Sequence, residues 1–370
     1  MSLYIGLMSG TSLDGVDGVI AEFDEAGTFR LKGHHHEPFG AALHDELLAL
    51  NTAGHNELHR AALAANAVAR AYASVVTTLL YDTSTAARDV RAIGAHGQTV
   101  RHQPGAFDGI GYTCQLINGA LLAEATGIDV VCDLRSRDVA AGGQGAPLAP
   151  AFHADVFGDA SEARAVLNLG GIANLTLLQS DQPVIGFDTG PANVLMDAWC
   201  LRHRREPFDA GGAWAAGGQA SPSLLSSLLS EPYFALSPPK STGRDLFHMD
   251  WLDAHLAEIG APLVAVDVQA TLAALTVESV AAGLERHAPA VQALCVCGGG
   301  ARNGHLLQRL AARLPHVRVR TTDELGLPAD QVEATAFAWL AHRFVERRSG
   351  NLPEVTGARG PRLLGALYPA

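Results

Sequence analysis

Asp188 stands in Val184-Ile-Gly-Phe-Asp-Thr-Gly190, where an apolar strand runs into polar residues followed by a proline. A carboxylate there rides on a rigid element, points out of the sheet and could take a proton from a reacting group. Capping the helix that follows is the other role open to it. A second set of residues could hold an anion. Gly10-Thr-Ser-Leu-Asp-Gly15 joins two glycines free to take φ > 0 to hydroxyls lying beside exposed backbone N–H groups, a concavity suited to phosphate. An ordinary Ser-rich hairpin turn fits the same residues equally well. Gly170, and Gly298-Gly-Gly300 with Asn303, repeat the pattern of glycine after an apolar strand, which lets a ring or phosphate approach the backbone. His96-Gly-Gln98 is a polar tip at a strand end, where ligands of open α/β sheets tend to lie. Arg135 and Arg137 follow a further strand; they could grip a carboxylate or phosphate, or belong to a solvated linker.

The elements that must position these groups are readable in outline. The apolar runs Leu3–Met8 and Val16–Phe23 make a strand–turn–strand around the first turn, with Phe29–Phe39 as a third strand. Apolar residues from Leu58 to Leu79 recur at three- and four-residue steps and predict one long amphipathic helix. Val90–Ala95 and Ile128–Cys132 read as strands, and Ile117–Thr126 as a helix ended by Gly127. The second half opens as the first does, with a strand, Gly turn and strand over Ala165–Leu178 and then Val184–Gly190. Pro191 is expected as the first residue of a helix. Another long helix spans Val268 to Leu284, and Ala293–Cys297 leads through the glycines to a helix over Leu306–Leu314. Val317–Arg320 is a strand, Glu333 opens a last helix, and the tail from Thr356 is expected to be irregular.

The repeated opening predicts an α/β chain of two similar domains with mixed sheets and flanking helices, facing each other across a cleft. The change from charge to glycine over Asp133–Pro147 is the expected junction, giving domains 1–135 and 136–370, with the C-terminal tail able to return to the first. At 370 residues the chain exceeds one small core. Lys and Arg number 26 against 38 Asp and Glu, a net charge of −12, which argues against general affinity for nucleic acid or acidic membrane. No run approaches the ~18 apolar residues of a membrane span, and the N-terminus enters a strand directly, so a cytoplasmic protein is expected. Five cysteines make no disulfide framework, and Cys295 and Cys297 are expected as buried thiols. His34–His36 lack the partners of a zinc motif. There is no GxxxxGK[ST] and no protein-kinase motif set.

Taken together, these segments resemble the actin, hexokinase and heat-shock ATPase superfamily. Within it the chain is similar to the 1,6-anhydro-N-acetylmuramic acid kinases. The matching stretches are Gly6–Asp17, Ala92–Thr99, Asp138–Pro147, Gly186–Asn193, Lys240–Arg244 and Cys297–Asn303, in order along nearly the whole length. The resemblance implies an actin-like ATPase (ribonuclease H-like) fold around an ATP cleft, and a kinase of peptidoglycan recycling that phosphorylates O6 of the anhydro sugar as water opens its internal bridge. ATP with Mg²⁺, the anhydro-amino sugar and water are the implied small-molecule partners, with no nucleic acid or membrane partner and a homodimeric assembly. Asp188 becomes the general base. Gly10, Thr11, Ser12, Leu13, Asp14, Gly15, Val16 and Asp17, with Gly170, hold phosphates; Gly298, Gly299, Gly300 and Asn303 take the adenosine side. His96, Gln98, Arg135 and Glu333 address the sugar. Two positions depart from the family pattern. Leu7 and Met8 precede Ser9 where the superfamily has a magnesium-contacting Asp, so the metal's ligands stay open, with Asp14 or Asp17 acting through water. Ala192 replaces a glycine. A conventional sugar kinase acting on a free hydroxyl, or an ATP-driven switch of the actin kind, are the alternatives.

Overall fold

The β-branched runs around the first turn pair antiparallel over Ser2–Met8 and Gly15–Phe23. In the computed structural model, which describes residues 1–24, 28–180, 182–260 and 262–370, the chain divides into two units: Met1–Phe152 with Gln331–Ala370, and His153–Asp330.

The first unit holds a six-stranded sheet in the order Ala366–Tyr368, Val130–Cys132, Val90–Ala95, Ser2–Met8, Gly15–Phe23, Phe29–Pro38. Val90–Ala95 runs parallel to both its neighbours, and the other pairings are antiparallel. The second unit holds five strands in the order Ile185–Pro191, Ile172–Leu178, Arg164–Leu169, Ala293–Cys297, Arg318–Thr321. Ala293–Cys297 is again parallel to both neighbours. Numbered by their appearance within each unit's main sheet, five strands of each follow the order third, second, first, fourth, fifth with the same directions. The expectation of two similar α/β units of mixed sheets with flanking helices therefore holds. Gln98–Pro104 and Gly111–Leu116 form a separate two-stranded hairpin in the first unit.

Successive residues of a strand face opposite sides of its sheet. Leu7 and Gly18 are paired and face the long helix Glu57–Asp82, whose Val75 and Leu79 would meet a Cβ on Gly18 at 2.4 and 3.0 Å. Val68, Tyr72, Val75, Val76 and Leu79 are buried there with Ile5, Leu7 and Ile20 as the main core. The predicted stripe begins too early, since Leu58 is exposed. On the opposite face lies the helix Val332–Val345. A Cβ on Gly6 would stand 1.9 Å from the Ala334 carbonyl oxygen, and one on Gly94 would stand 2.0 Å from that of Phe337.

This docking corrects the domain boundary expected at 135/136. The helix Val332–Val345 belongs to the first unit because two glycines give its backbone a floor. The tail follows it, adding Ala366–Tyr368 to the first sheet. The glycine-rich stretch after Asp138 is no linker either: the Gln144 N–H donates to the Thr356 carbonyl at 2.7 Å, and the Arg359 N–H to that of Ala141 at 2.9 Å. The helices Glu57–Asp82 and Ala265–His287 are long and apolar enough by length and hydropathy to cross a membrane. Each lays buried residues into its own unit, as cores of this kind require. Cys295 and Cys297 are free and buried, as expected.

Candidate active site

In the first unit, the turn after Ser2–Met8 is held from beneath. The buried Ser9 shares a hydrogen bond with the Tyr72 hydroxyl (2.8 Å), and Gln98 Nε2 donates to the Gly10 carbonyl (2.9 Å). Gln98 Oε1 is buried with no partner among the described residues. Thr11, Ser12 and Asp14 are exposed, and the Ser12 hydroxyl donates to Asp14 Oδ1 at 2.7 Å. The left-handed residue of the turn is Leu13, at φ +62, and neither Gly10 nor Gly15 has positive φ. Gly15 is required for another reason, because its Cβ would meet the Glu37 carbonyl at 2.3 Å. Gly10 has only Ser12 atoms within reach, so the space over it is open. Val16 is buried in the returning strand, and Asp17 lies farther along it. There, Asp17 Oδ1 meets His34 Nε2 at 3.3 Å and His36 Nδ1 at 3.1 Å. The histidine triplet thus has a carboxylate partner that register supplies and local spacing hides. Among the described residues no group of three His, Cys, Asp or Glu is arranged to hold a metal ion.

His96, Gln98, Arg135 and Glu333 lie in the same unit. Arg135 donates through Nε (3.0 Å) and Nη2 (2.9 Å) to His96 Nε2, and through Nη1 to the Gly145 carbonyl (2.8 Å). Nε2 is therefore the unprotonated nitrogen, and the Nδ1–H of His96 donates to the Ser9 carbonyl at 3.2 Å. Burial, with the Arg135 charge, lowers the His96 pKa to about 3 and keeps the imidazole neutral. Burial lowers Arg135 to about 10 against the opposing carboxylates of Glu333 and Asp138. Glu333 sits in the first turn of Val332–Val345. Arg137, its sequence neighbour in the expected pair, is exposed. His102, which the sequence did not single out, is lowered to about 4 by burial and by Arg135.

In the second unit, Gly170 turns the chain between Arg164–Leu169 and Ile172–Leu178. Its carbonyl accepts from the Asn193 N–H at 3.1 Å, and a Cβ on it would meet only the Ile172 carbonyl, at 3.6 Å. The helix starts at Asn193 rather than Pro191, which ends the strand, and its N-cap Ala192 has no side-chain cap. Asp188 does not cap it. Its Oδ2 accepts from the Thr242 N–H (3.0 Å), its backbone N–H donates to the Lys240 carbonyl (3.1 Å), and its carbonyl accepts from the Tyr233 hydroxyl (2.8 Å). Lys240 Nζ lies 4.6 Å from the centre of the Tyr233 ring. Burial raises the Asp188 carboxyl to about 7, opposed by the Thr242 hydrogen bond and the Lys240 charge. The 240–244 loop supplies both backbone contacts to Asp188, and the sequence of the loop does not disclose this pairing. Gly298 has φ +81 and Gly300 packs on Leu169, whereas a Cβ on Gly299 would meet nothing within 4 Å. Asn303 caps the helix Gly304–Arg313 through the Leu306 N–H at 3.1 Å.

Two α/β units of one strand order, with open glycine turns after their strands and a buried carboxylate at the end of one, have the fold of the actin-like ATPases. A structure described as the (R)-2-hydroxyglutaryl-CoA dehydratase component A of Acidaminococcus fermentans shares this fold at TM-score 0.51 and 11% identity, covering 92% of this chain and 97% of that one. Residues 2–370 match the model of the anhydro-N-acetylmuramic acid kinase family. A protein of Variovorax paradoxus (strain S110) named anhydro-N-acetylmuramic acid kinase is 59% identical, over 100% of this chain and 99% of its own length. One of Cupriavidus pinatubonensis with the same name is 56% identical, over 99% and 98%. The chain belongs to the anhydro-N-acetylmuramic acid kinase family.

Proposed function

We propose that the chain transfers the γ-phosphoryl group of ATP to O6 of 1,6-anhydro-N-acetylmuramic acid while water opens the 1,6 bridge, yielding N-acetylmuramic acid 6-phosphate and ADP. Its family membership over residues 2–370 is the observation that carries this reading. The reaction returns a cell-wall amino sugar to metabolism.

In the anhydro ring O6 is an ether oxygen with no proton to remove. It becomes nucleophilic towards phosphorus only as its bond to C1 breaks. A water oxygen therefore bonds to C1 as C1–O6 breaks, O6 bonds to the γ-phosphorus as the bond to ADP breaks, and the proton of the water passes to Asp188. A carboxylate with pKa about 7 is a stronger base than an ordinary one and is still ionised near neutrality. Thr242 fixes one oxygen, and Oδ1 accepts no hydrogen bond from the described residues. General-base help of this kind is worth about 10²–10⁴ in rate.

The turn Gly10–Asp17 and Gly170 serve the phosphates, where open glycines admit close approach to backbone N–H groups. The Gly298–Gly300 turn serves the adenosine side, with Asn303 holding the helix behind it. Magnesium would arrive with ATP, neutralise phosphate charge and keep several waters, and Asp14 is the exposed carboxylate of the turn that could meet it through water. Gln98 supports the phosphate turn through Gly10. Arg135 has five N–H donors, of which three are engaged. One remains on each terminal nitrogen, a pair suited to the lactyl carboxylate of muramic acid. Glu333 completes that sugar site, and His96, with both nitrogens taken by Ser9 and Arg135, serves it by holding Arg135. A cytoplasmic location, where ATP is supplied, belongs to the same proposal, and a homodimer is the assembly the resemblance implies. ATP consumption with anhydro-N-acetylmuramic acid, N-acetylmuramic acid and N-acetylglucosamine tests the substrate: turnover is expected with the first alone, and equal turnover with all three overturns the reading.

A further inference from the structure

Asp138 is fully buried, and three neutral donors surround its carboxylate. Oδ1 accepts from Asn351 Nδ2 at 2.7 Å and from the Thr356 hydroxyl at 2.8 Å. Oδ2 accepts from the Gly145 N–H at 2.8 Å. The same Gly145 peptide segment presents the carbonyl that receives Arg135 Nη1. Gly145 sits at φ +66, where its Cβ would meet Val139 at 2.8 Å, so the loop has no slack at that point. Arg135 then reaches His96, and His96 reaches the Ser9 carbonyl at the start of the first turn. One hydrogen-bonded chain thus runs from the C-terminal segment to the residue proposed to hold the sugar's carboxylate.

We propose that Asp138, held by Asn351 and Thr356, is a positioning residue that aims the two remaining donors of Arg135 at the lactyl carboxylate of the substrate. This rests on the reading of Arg135 given under Proposed function. The burial of a carboxylate among neutral donors is costly unless all are satisfied, and here both oxygens are. Asn351 and Thr356 make the C-terminal segment part of substrate recognition although neither faces substrate. Asp138→Asn keeps the shape but turns an NH₂ group towards a donor on one side, which releases either Gly145 or the Asn351–Thr356 pair.

The test compares kcat/KM for 1,6-anhydro-N-acetylmuramic acid with that for 1,6-anhydro-N-acetylglucosamine, which lacks the lactyl group, in the full-length wild type, Asp138→Asn and Arg135→Lys. Asp138→Asn is expected to lose at least about tenfold of the preference for the lactyl sugar, through KM for that sugar, with KM for ATP within about twofold. General loosening of the fold would lower both sugars together. If Arg135→Lys loses the preference and a folded Asp138→Asn keeps it, the positioning role is overturned and the reading of Arg135 stands. If Arg135→Lys also keeps it, the reading of Arg135 falls and takes this proposal with it. Should Asp138→Asn fail to fold, Asn351→Ala and Thr356→Val carry the test: each is expected to reduce the preference about threefold, and an unchanged preference in both overturns the proposal.

Discussion

Replacing Asp188 by Asn should make the protein more stable and nearly inactive. Burial raises this carboxyl from 3.8 to about 7 in the folded chain. Below pH 3.8 the group is protonated in both folded and unfolded states and costs nothing. Between 3.8 and about 7 the unfolded chain ionises while the folded one does not, so stability falls as pH rises; above about 7 the cost is constant. At about 1.36 kcal/mol per pH unit, the cost is about 2 kcal/mol at pH 5.5 and about 4 kcal/mol at pH 8.5. Asn has the shape of the protonated acid and can still accept the Thr242 N–H, so the variant escapes this cost. Urea unfolding can be followed by tryptophan fluorescence, because Trp199, Trp214 and Trp251 lie in the unit that carries Asp188. The stability gain of Asp188→Asn should be about 2 kcal/mol larger at pH 8.5 than at pH 5.5. In the same preparation kcat should fall by about 10²–10⁴ while nucleotide affinity is kept. A gain that does not change with pH refutes the burial argument, and an active variant refutes the base assignment.

The pH profile of kcat/KM should have an acidic limb with its midpoint near 7, where Asp188 takes its proton, and His96 at about 3 should add no limb between pH 5 and 8; a flat profile over that range contradicts the first statement, and a second limb that His96 variants abolish contradicts the other. Gly94→Ala should cost about 3 kcal/mol or more in thermal or urea unfolding, since its Cβ would stand 2.0 Å from the Phe337 carbonyl oxygen; a stable variant would mean the helix Val332–Val345 does not rest on this strand. Gly299→Ala meets nothing within 4 Å, so stability should stay within about 0.5 kcal/mol while KM for ATP rises. An unchanged KM removes Gly299 from the nucleotide site.

Much of the fold was legible because its signals are local. The strand–turn–strand openings, the Gly127 stop and the repeated order of elements follow from apolar period and glycine placement, and the structure has them. The positions that resisted are those set by contacts between distant segments. Nothing in the period of Val332–Val345 says that it lies on Gly6 and Gly94, and so the sequence alone leaves it with the segment that precedes it. Pro191 looked like the start of a helix, yet it closes the strand because the pairing with Ile172 continues that far. In the candidate site, Asp188, His96 and Arg135 could be named from their places at strand ends. The Thr242 N–H, the Tyr233 hydroxyl and Asp138 could not, since each reaches its partner through a loop whose path the sequence leaves open. The phosphate turn shows the same limit on a smaller scale, where Leu13 rather than a glycine takes the left-handed conformation.

The central claim is that phosphoryl transfer to O6 and addition of water to C1 are one event. It is tested by running the reaction in ¹⁸O-labelled water and locating the label promptly by mass spectrometry, against unlabelled product held in the same water to measure anomeric exchange. The account predicts one labelled oxygen at C1 of the 6-phosphate, above the exchange control, and none in the phosphoryl group. Label in the phosphoryl group, or a phosphorylated product that still has the anhydro mass and no label, would contradict it.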